Sequence, residues 1–250
     1  ETGNTKILID CGMFQGRAKE EAMNEQPLPV SPAEIDYVLL THAHIDHSGR
    51  IPWLYVNGFE GEVIAQKAAV ELCSLLLPDS GYIQEFETEW KNRKRMRAGL
   101  KPVVPLYTAA QAEESLELFK KVSYDEIIQL TDDIRVRFKN SGHMLGSAFV
   151  EMWIRENGKE EKIVFTGDIG NTDMPILKDP EPIEEADYVV MESTYGDRLH
   201  SEKENKAEKF LEIVLDTLDR GGNVVIPSFA VGRTQEIIYE INKTLTLPAE

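Results

Sequence analysis

Thr41-His42-Ala43-His44-Ile45-Asp46-His47-Ser48-Gly49 gathers three of the chain's five histidines. The stretch ends a run, Ile35-Asp36-Tyr37-Val38-Leu39-Leu40-Thr41, whose unbroken apolar core predicts a strand buried on both faces. If the backbone stays extended beyond it, two-residue alternation projects His42, His44 and Asp46 to one side, and a following turn brings in His47. Imidazole nitrogens and carboxylate oxygens suit zinc where thiolates are absent, and four such groups so close together can serve two ions. The bland alternative is a solvated histidine loop, or an adventitious metal patch without chemistry.

Working outward, Lys6-Ile7-Leu8-Ile9-Asp10 is a short apolar strand that ends, like the first, on polar groups. Ser141-Gly142-His143-Met144-Leu145-Gly146-Ser147 sets a histidine between glycines after a strand, and Phe165-Thr166-Gly167-Asp168-Ile169-Gly170 does the same with an aspartate. Glycines there allow backbone to approach a shared centre. Taken singly, His143 reads as a core or loop histidine and Asp168 as a turn former; beside the first cluster, both read as ligands.

His-x-His-x-Asp-His, then Gly-His, then Thr-Gly-Asp, with Asp10 ahead of them, resembles the metallo-β-lactamase fold. The resemblance runs from the first residues to about 192 and implies an α/β protein, the αβ/βα four-layer sandwich with a two-metal site along one edge. Carried over residue by residue, it implies that His42, His44 and His143 bind one zinc, that Asp46 and His47 bind the second, and that Asp168 bridges them. Asp10 is then an outer partner that orients the ligand loop.

Two further stretches, Val190-Met191-Glu192-Ser193-Thr194-Tyr195-Gly196-Asp197 and Val224-Val225-Ile226-Pro227-Ser228-Phe229-Ala230-Val231-Gly232-Arg233, resemble the β-CASP nucleases. That group includes RNA-processing endonucleases and bacterial ribonuclease J. Glutamate at Glu192 is similar to its RNA-directed members. The resemblance implies a zinc-dependent ribonuclease with a two-metal mechanism and a bridging hydroxide, in which Asp46 and Asp168 serve catalysis and Glu192 shares in proton supply. Two other functions stay open: a hydrolase of small esters or thioesters, which leaves the β-CASP stretches unexplained, and a non-catalytic scaffold subunit. His200 reads equally as a surface histidine. Arg233 reads as a structural ion pair or as a phosphate contact at a helix start.

The texture changes near residue 197, so we divide the chain into a metallo-β-lactamase domain at 1–196, its opening strands missing, and the beginning of a β-CASP α/β domain at 197–250. The chain reads as an internal piece of a longer protein, expected to bind one metal well and the second poorly.

Local patterns add a helix at 66–77 stopped by Pro78-Asp79, a helix capped by Thr108 and running to about Lys121, and strands at 124–130, 134–139, 148–155 and 162–166. The last two of these join through Asn157-Gly158. A further buried strand is expected at 188–191, then a helix at 202–218, a strand at 223–226 and a helix at 233–243.

The 250 residues carry 44 acidic and 27 basic side chains, a net charge of −17. That balance excludes a protein that coats DNA or anionic membrane by bulk attraction. It leaves metal-centred chemistry open, because two zinc ions add about +4 at one spot. Lys91 to Lys101 holds six of the basic side chains and no acids, next to Trp90. It reads either as a solvated face or as a phosphate-tracking patch through Arg93, Lys94 and Arg95, with Trp90 as a stacking surface. Two cysteines and no apolar run of membrane length point to a cytoplasmic protein. RNA is the implied partner, with single-stranded DNA and a homodimer left open.

Overall fold

The computed structural model describes residues 1–199 and 206–245. The chain divides into two units, Glu1–Thr172 with Asp179–Glu192, and Asp173–Lys178 with Ser193–Glu250.

In the first unit, β1 (Ile7–Ile9), β2 (Tyr37–Leu40), β3 (Glu62–Gln66) and β4 (Phe119–Val122) form an all-parallel sheet in that order. Parallel neighbours need crossover connections, and helices supply them. α1 (Ala18–Glu21) follows β1, α2 (Ile45–Ser48) and α3 (Ile51–Val56) follow β2, and α4 (Lys67–Arg97) and α5 (Ala109–Ser115) follow β3. The second sheet takes β5 (Ile127–Thr131), β6 (Ile134–Asn140), β7 (Ala148–Glu156), β8 (Lys159–Phe165) and β9 (Tyr188–Val190) in sequence order. Its strands are antiparallel except that β9 runs parallel to β8. Asn157 and Gly158, both at positive φ, turn β7 into β8 as an Asn-Gly hairpin should.

The sheets pack face to face. Leu39 and Ile64 from the first meet Val136, Phe138, Val150 and Met152 from the second in one buried cluster. β6 alternates inward Ile134, Val136 and Phe138 with half-buried Arg135, Arg137 and Lys139, the two-residue period of a strand with one face in the core. Val38, Leu39 and Leu40 of β2 are all fully buried, as expected for a strand covered on both faces. The result is a two-sheet α/β fold flanked by helices.

Strand direction places the site. β6 and β8 are both antiparallel to β7, so the C-terminal ends of β6, β8 and β9 open onto one edge. The Ala148 N–H donates to the Thr41 carbonyl at 2.9 Å, which ties that edge to the loop after β2. Asp10, His42, His143, Asp168 and Glu192 all follow strand C-termini, where open α/β sheets bind ligands.

Several local expectations need correction. Pro78 does not stop its helix; α4 continues to Arg97. The lost backbone hydrogen bond is offset because Ala69, Val70, Cys73, Leu77 and Gly81 keep one helix face buried on both sides of the proline. Thr108 does cap a helix, accepting from the Gln111 N–H, but α5 ends at Ser115. Residues 119–122 pair with β3, Val63 against Phe119, so ladder pairing wins over helix propagation.

β9 is a strand but not a buried one. Tyr188, Val189 and Val190 are each more than half exposed, because β9 lies at the sheet edge.

In the second unit, α6 (Lys206–Asp219) and α7 (Arg233–Leu245) form. Residues 223–226 form no strand, since among the described residues no neighbour offers them a ladder. His200 and the expected helix start at 202 lie outside the described residues.

Candidate metal centre

His42 leaves β2 fully buried. Its Nε2 is 3.1 Å from Nδ1 of His44, which is 3.2 Å from Nε2 of His143. Asp168 Oδ2 lies 3.4 Å from His143 Nε2 and 3.9 Å from His42 Nε2. One donor atom from each of these four residues lies within 4.8 Å of all the others. A tetrahedral ion with bonds near 2 Å sets neighbouring donors about 3.3 Å apart, so the set fits one shared cation.

A second group adjoins it. His47 Nε2 is 3.3 Å from Asp168 Oδ1 and 3.8 Å from Asp46 Oδ2. The expected extended alternation ends at His44, which is the N-cap of α2. The Ser48 hydroxyl lies 3.0 Å from the carbonyl oxygens of both Ala43 and His44, within donating reach of either. Asp46 therefore enters from a helix rather than a strand, with its side chain 56% exposed. The six expected ligand positions are brought together as two adjoining groups that share Asp168.

Asp10 stands behind both groups. Oδ1 accepts the Thr41 N–H at 2.7 Å; Oδ2 accepts the Thr41 hydroxyl at 2.8 Å and lies 2.7 Å from His47 Nδ1. Glu192 reaches the Asp168 loop, where its Oε1 accepts the Ile169 N–H at 2.8 Å while its own N–H donates to Thr166 Oγ1. The two glycine-bracketed loops do meet. A Cβ on Gly170 would lie 2.0 Å from the Gly142 carbonyl oxygen, so only glycine permits that approach.

The protonation states suit a cation. Burial, reinforced by the neighbouring imidazoles, pushes His42 down to about 2, and burial likewise lowers His44 and His143. Neutral imidazole is the form with a lone pair to give. His47 goes the other way: burial disfavours its cation, but hydrogen bonds to Asp10 and Asp168 outweigh that and raise it to about 10. The hydrogen bond from His47 holds Asp168 down to about 2. Any cation taken by His47 Nε2 must displace a proton there.

The expected RNA contacts engage other partners. Arg93 Nη2 is 3.5 Å from Glu89, and the Arg95 Nε–H donates to the Lys101 carbonyl. The Lys94 ammonium sits 3.4 Å from the Trp90 ring centroid, over an indole that is 55% exposed. These residues lie on the last turns of α4. Arg233, in the second unit, is ion-paired with Glu236 at 2.9 Å.

Thr41 is a site residue that local patterning does not single out. Its position immediately before His42, with a hydroxyl at the end of a buried strand, was the available signal.

A family model described as the metallo-beta-lactamase superfamily matches residues 1–228. The chain is 39% identical over 237 residues to "Ribonuclease TTHA0252" of Thermus thermophilus, covering 95% of this chain and 49% of that protein. It is 33% identical to "Transcription termination factor FttA" of Methanosarcina mazei, covering 98% of this chain and 36% of the other. It is 30% identical to "Cleavage and polyadenylation specificity factor 73" of Drosophila melanogaster, covering 95% and 32%. The chain thus spans about half or less of the length of these relatives.

Proposed function

The chain belongs to the metallo-beta-lactamase superfamily, and from that premise we propose that it is the metal-binding part of a zinc-dependent ribonuclease of the β-CASP group, acting in the cytoplasm on RNA phosphodiester bonds. The observation that carries the reading is the convergence of His42, His44, His143 and Asp168 donor atoms on one point. The ribonuclease named among its relatives, and the Glu192 stretch, support RNA as the substrate over small esters.

The donor set is imidazole and carboxylate, which fits zinc. His42, His44 and His143 would hold one ion, Asp46 and His47 the other, and Asp168 both. Bound there, zinc supplies Lewis acidity and lowers the pKa of water towards neutrality. The rest falls to the chain. The lowered pKa values of His42, His44 and His143 keep their lone pairs available, and Asp10 holds His47 in place. Glu192, anchored beside Asp168 by the Ile169 N–H, would share in protonating the leaving ribose oxygen. Arg93, Lys94, Arg95 and Arg233 are the candidate phosphate contacts.

Chelation followed by zinc restoration in the full-length protein tests the reading, assayed on end-labelled RNA, single-stranded DNA and a thioester panel. RNA cleavage should vanish and return with the metal. Thioester turnover without RNA cleavage would move the site to small-molecule hydrolysis, and no turnover at all would favour a scaffold.

A further inference from the structure

We propose that Thr41 is a positioning residue that relays Asp10 to His42, so that one carboxylate sets the tautomer of a histidine in each ligand group. The inference rests on the metal-site reading of the cluster.

A carboxylate only accepts, and a threonine hydroxyl has one proton to donate. Asp10 Oδ2 takes that proton at 2.8 Å. Thr41 Oγ1 also lies 3.0 Å from His42 Nδ1, and with its proton spent it can only accept there. His42 therefore carries its hydrogen on Nδ1 and turns a bare Nε2 to the centre, the atom that faces His44 and Asp168. The same Asp10 oxygen meets Nδ1 of His47 directly, at 2.7 Å, leaving His47 Nε2 to face Asp46 and Asp168.

A second observation fixes the hydroxyl. Thr41 is buried, and a Cβ on Gly167, at φ +50°, would lie 2.6 Å from Thr41 Oγ1 and 2.7 Å from its Cβ. The loop that carries Asp168 is therefore seated against the Thr41 side chain and restricts its rotation. Without the hydroxyl, neutral His42 could hold its proton on Nε2, a form that cannot ligate through that atom.

Thr41→Val keeps the shape and removes the hydroxyl; Thr41→Ser restores the hydroxyl alone. In the full-length protein, we expect Thr41→Val to weaken the tighter zinc site about 10- to 100-fold by chelator competition, the usual cost of losing an outer-shell partner. Thr41→Ser should bind like wild type. In metal-free wild type, ¹⁵N-resolved imidazole NMR should show His42 protonated on Nδ1. Equal zinc affinity in Thr41→Val overturns the relay. So does a wild-type His42 protonated on Nε2, a result that needs no variant to fold. A wild type that binds no zinc overturns the metal-site reading instead, while the tautomer measurement still decides the relay.

Discussion

His47 Nε2 lies 3.3 Å from Asp168 Oδ1, while the other oxygen of that carboxylate lies 3.4 Å from His143 Nε2. Asp168 thus turns one oxygen to each ligand group. In the metal-free protein the His47 side of this arrangement is held by a protonated imidazole between two carboxylates, Asp10 and Asp168. The groups that would bind the second ion are thereby kept in register without it.

Asp46 belongs to one group only. Asp46→Ala should reduce bound zinc in the full-length protein from two ions per chain towards one, read by elemental analysis, while the tighter site persists. Loss of both ions would show that the groups are not separable.

Glu192 can be separated from metal binding. Glu192→Gln retains an oxygen for the Ile169 N–H but no acid. Zinc content should be unchanged while the cleavage rate falls about 100-fold or more, the range for a lost general acid or base. Unchanged turnover would leave Glu192 as a loop anchor.

The Arg93, Lys94 and Arg95 patch has an ionic signature. Each phosphate contact to a single strand contributes about −0.7 to the slope of log affinity against log salt. Changing all three to glutamine should weaken RNA binding and flatten the slope by up to about 2. An unaltered slope would remove the end of α4 from the RNA path.

Away from the site, Glu151 has a side chain 1% exposed, with Oε2 2.6 Å from Arg137 Nε and Oε1 2.5 Å from Lys162 Nζ. Burial works against its carboxylate, but these two hydrogen bonds outweigh burial and hold its pKa below the ordinary 4.5. A depressed folded pKa gives stabilisation that is present above the unfolded value and lost as pH falls through the folded one. Glu151→Gln should therefore destabilise by about 2–4 kcal/mol at neutral pH, with a gap that narrows in acid, measured by urea unfolding at several pH values. A gap independent of pH would show that packing, not charge, sets the cost.

Much of the site was legible because its signals are local: three histidines in one run, and His143 and Asp168 each bracketed by glycines after a strand. The helical entry of Asp46 was not, because His44 caps α2 through backbone geometry that alternation cannot express. Pro78 misled for a related reason. Its local breaking tendency is overridden by a helix face buried on either side of it, which depends on residues far away in the sequence. Residues 119–122 carry Lys120 and Lys121 in the middle, and only pairing with β3 makes them a strand. The role of the Thr41 hydroxyl rests on its distances to Asp10 and His42, which no local pattern encodes.

On the proposed reading, the shared carboxylate of Asp168 assembles a zinc site that cleaves RNA. Zinc content and cleavage of end-labelled RNA, read on one preparation of full-length wild type and one of Asp168→Asn, test it most directly. Two ions and cleavage are expected in the wild type, and in the variant lost zinc with cleavage reduced at least about 100-fold, the upper end of what losing even an outer-shell partner costs. An Asp168→Asn protein that retains both ions and cleaves RNA like wild type would contradict it.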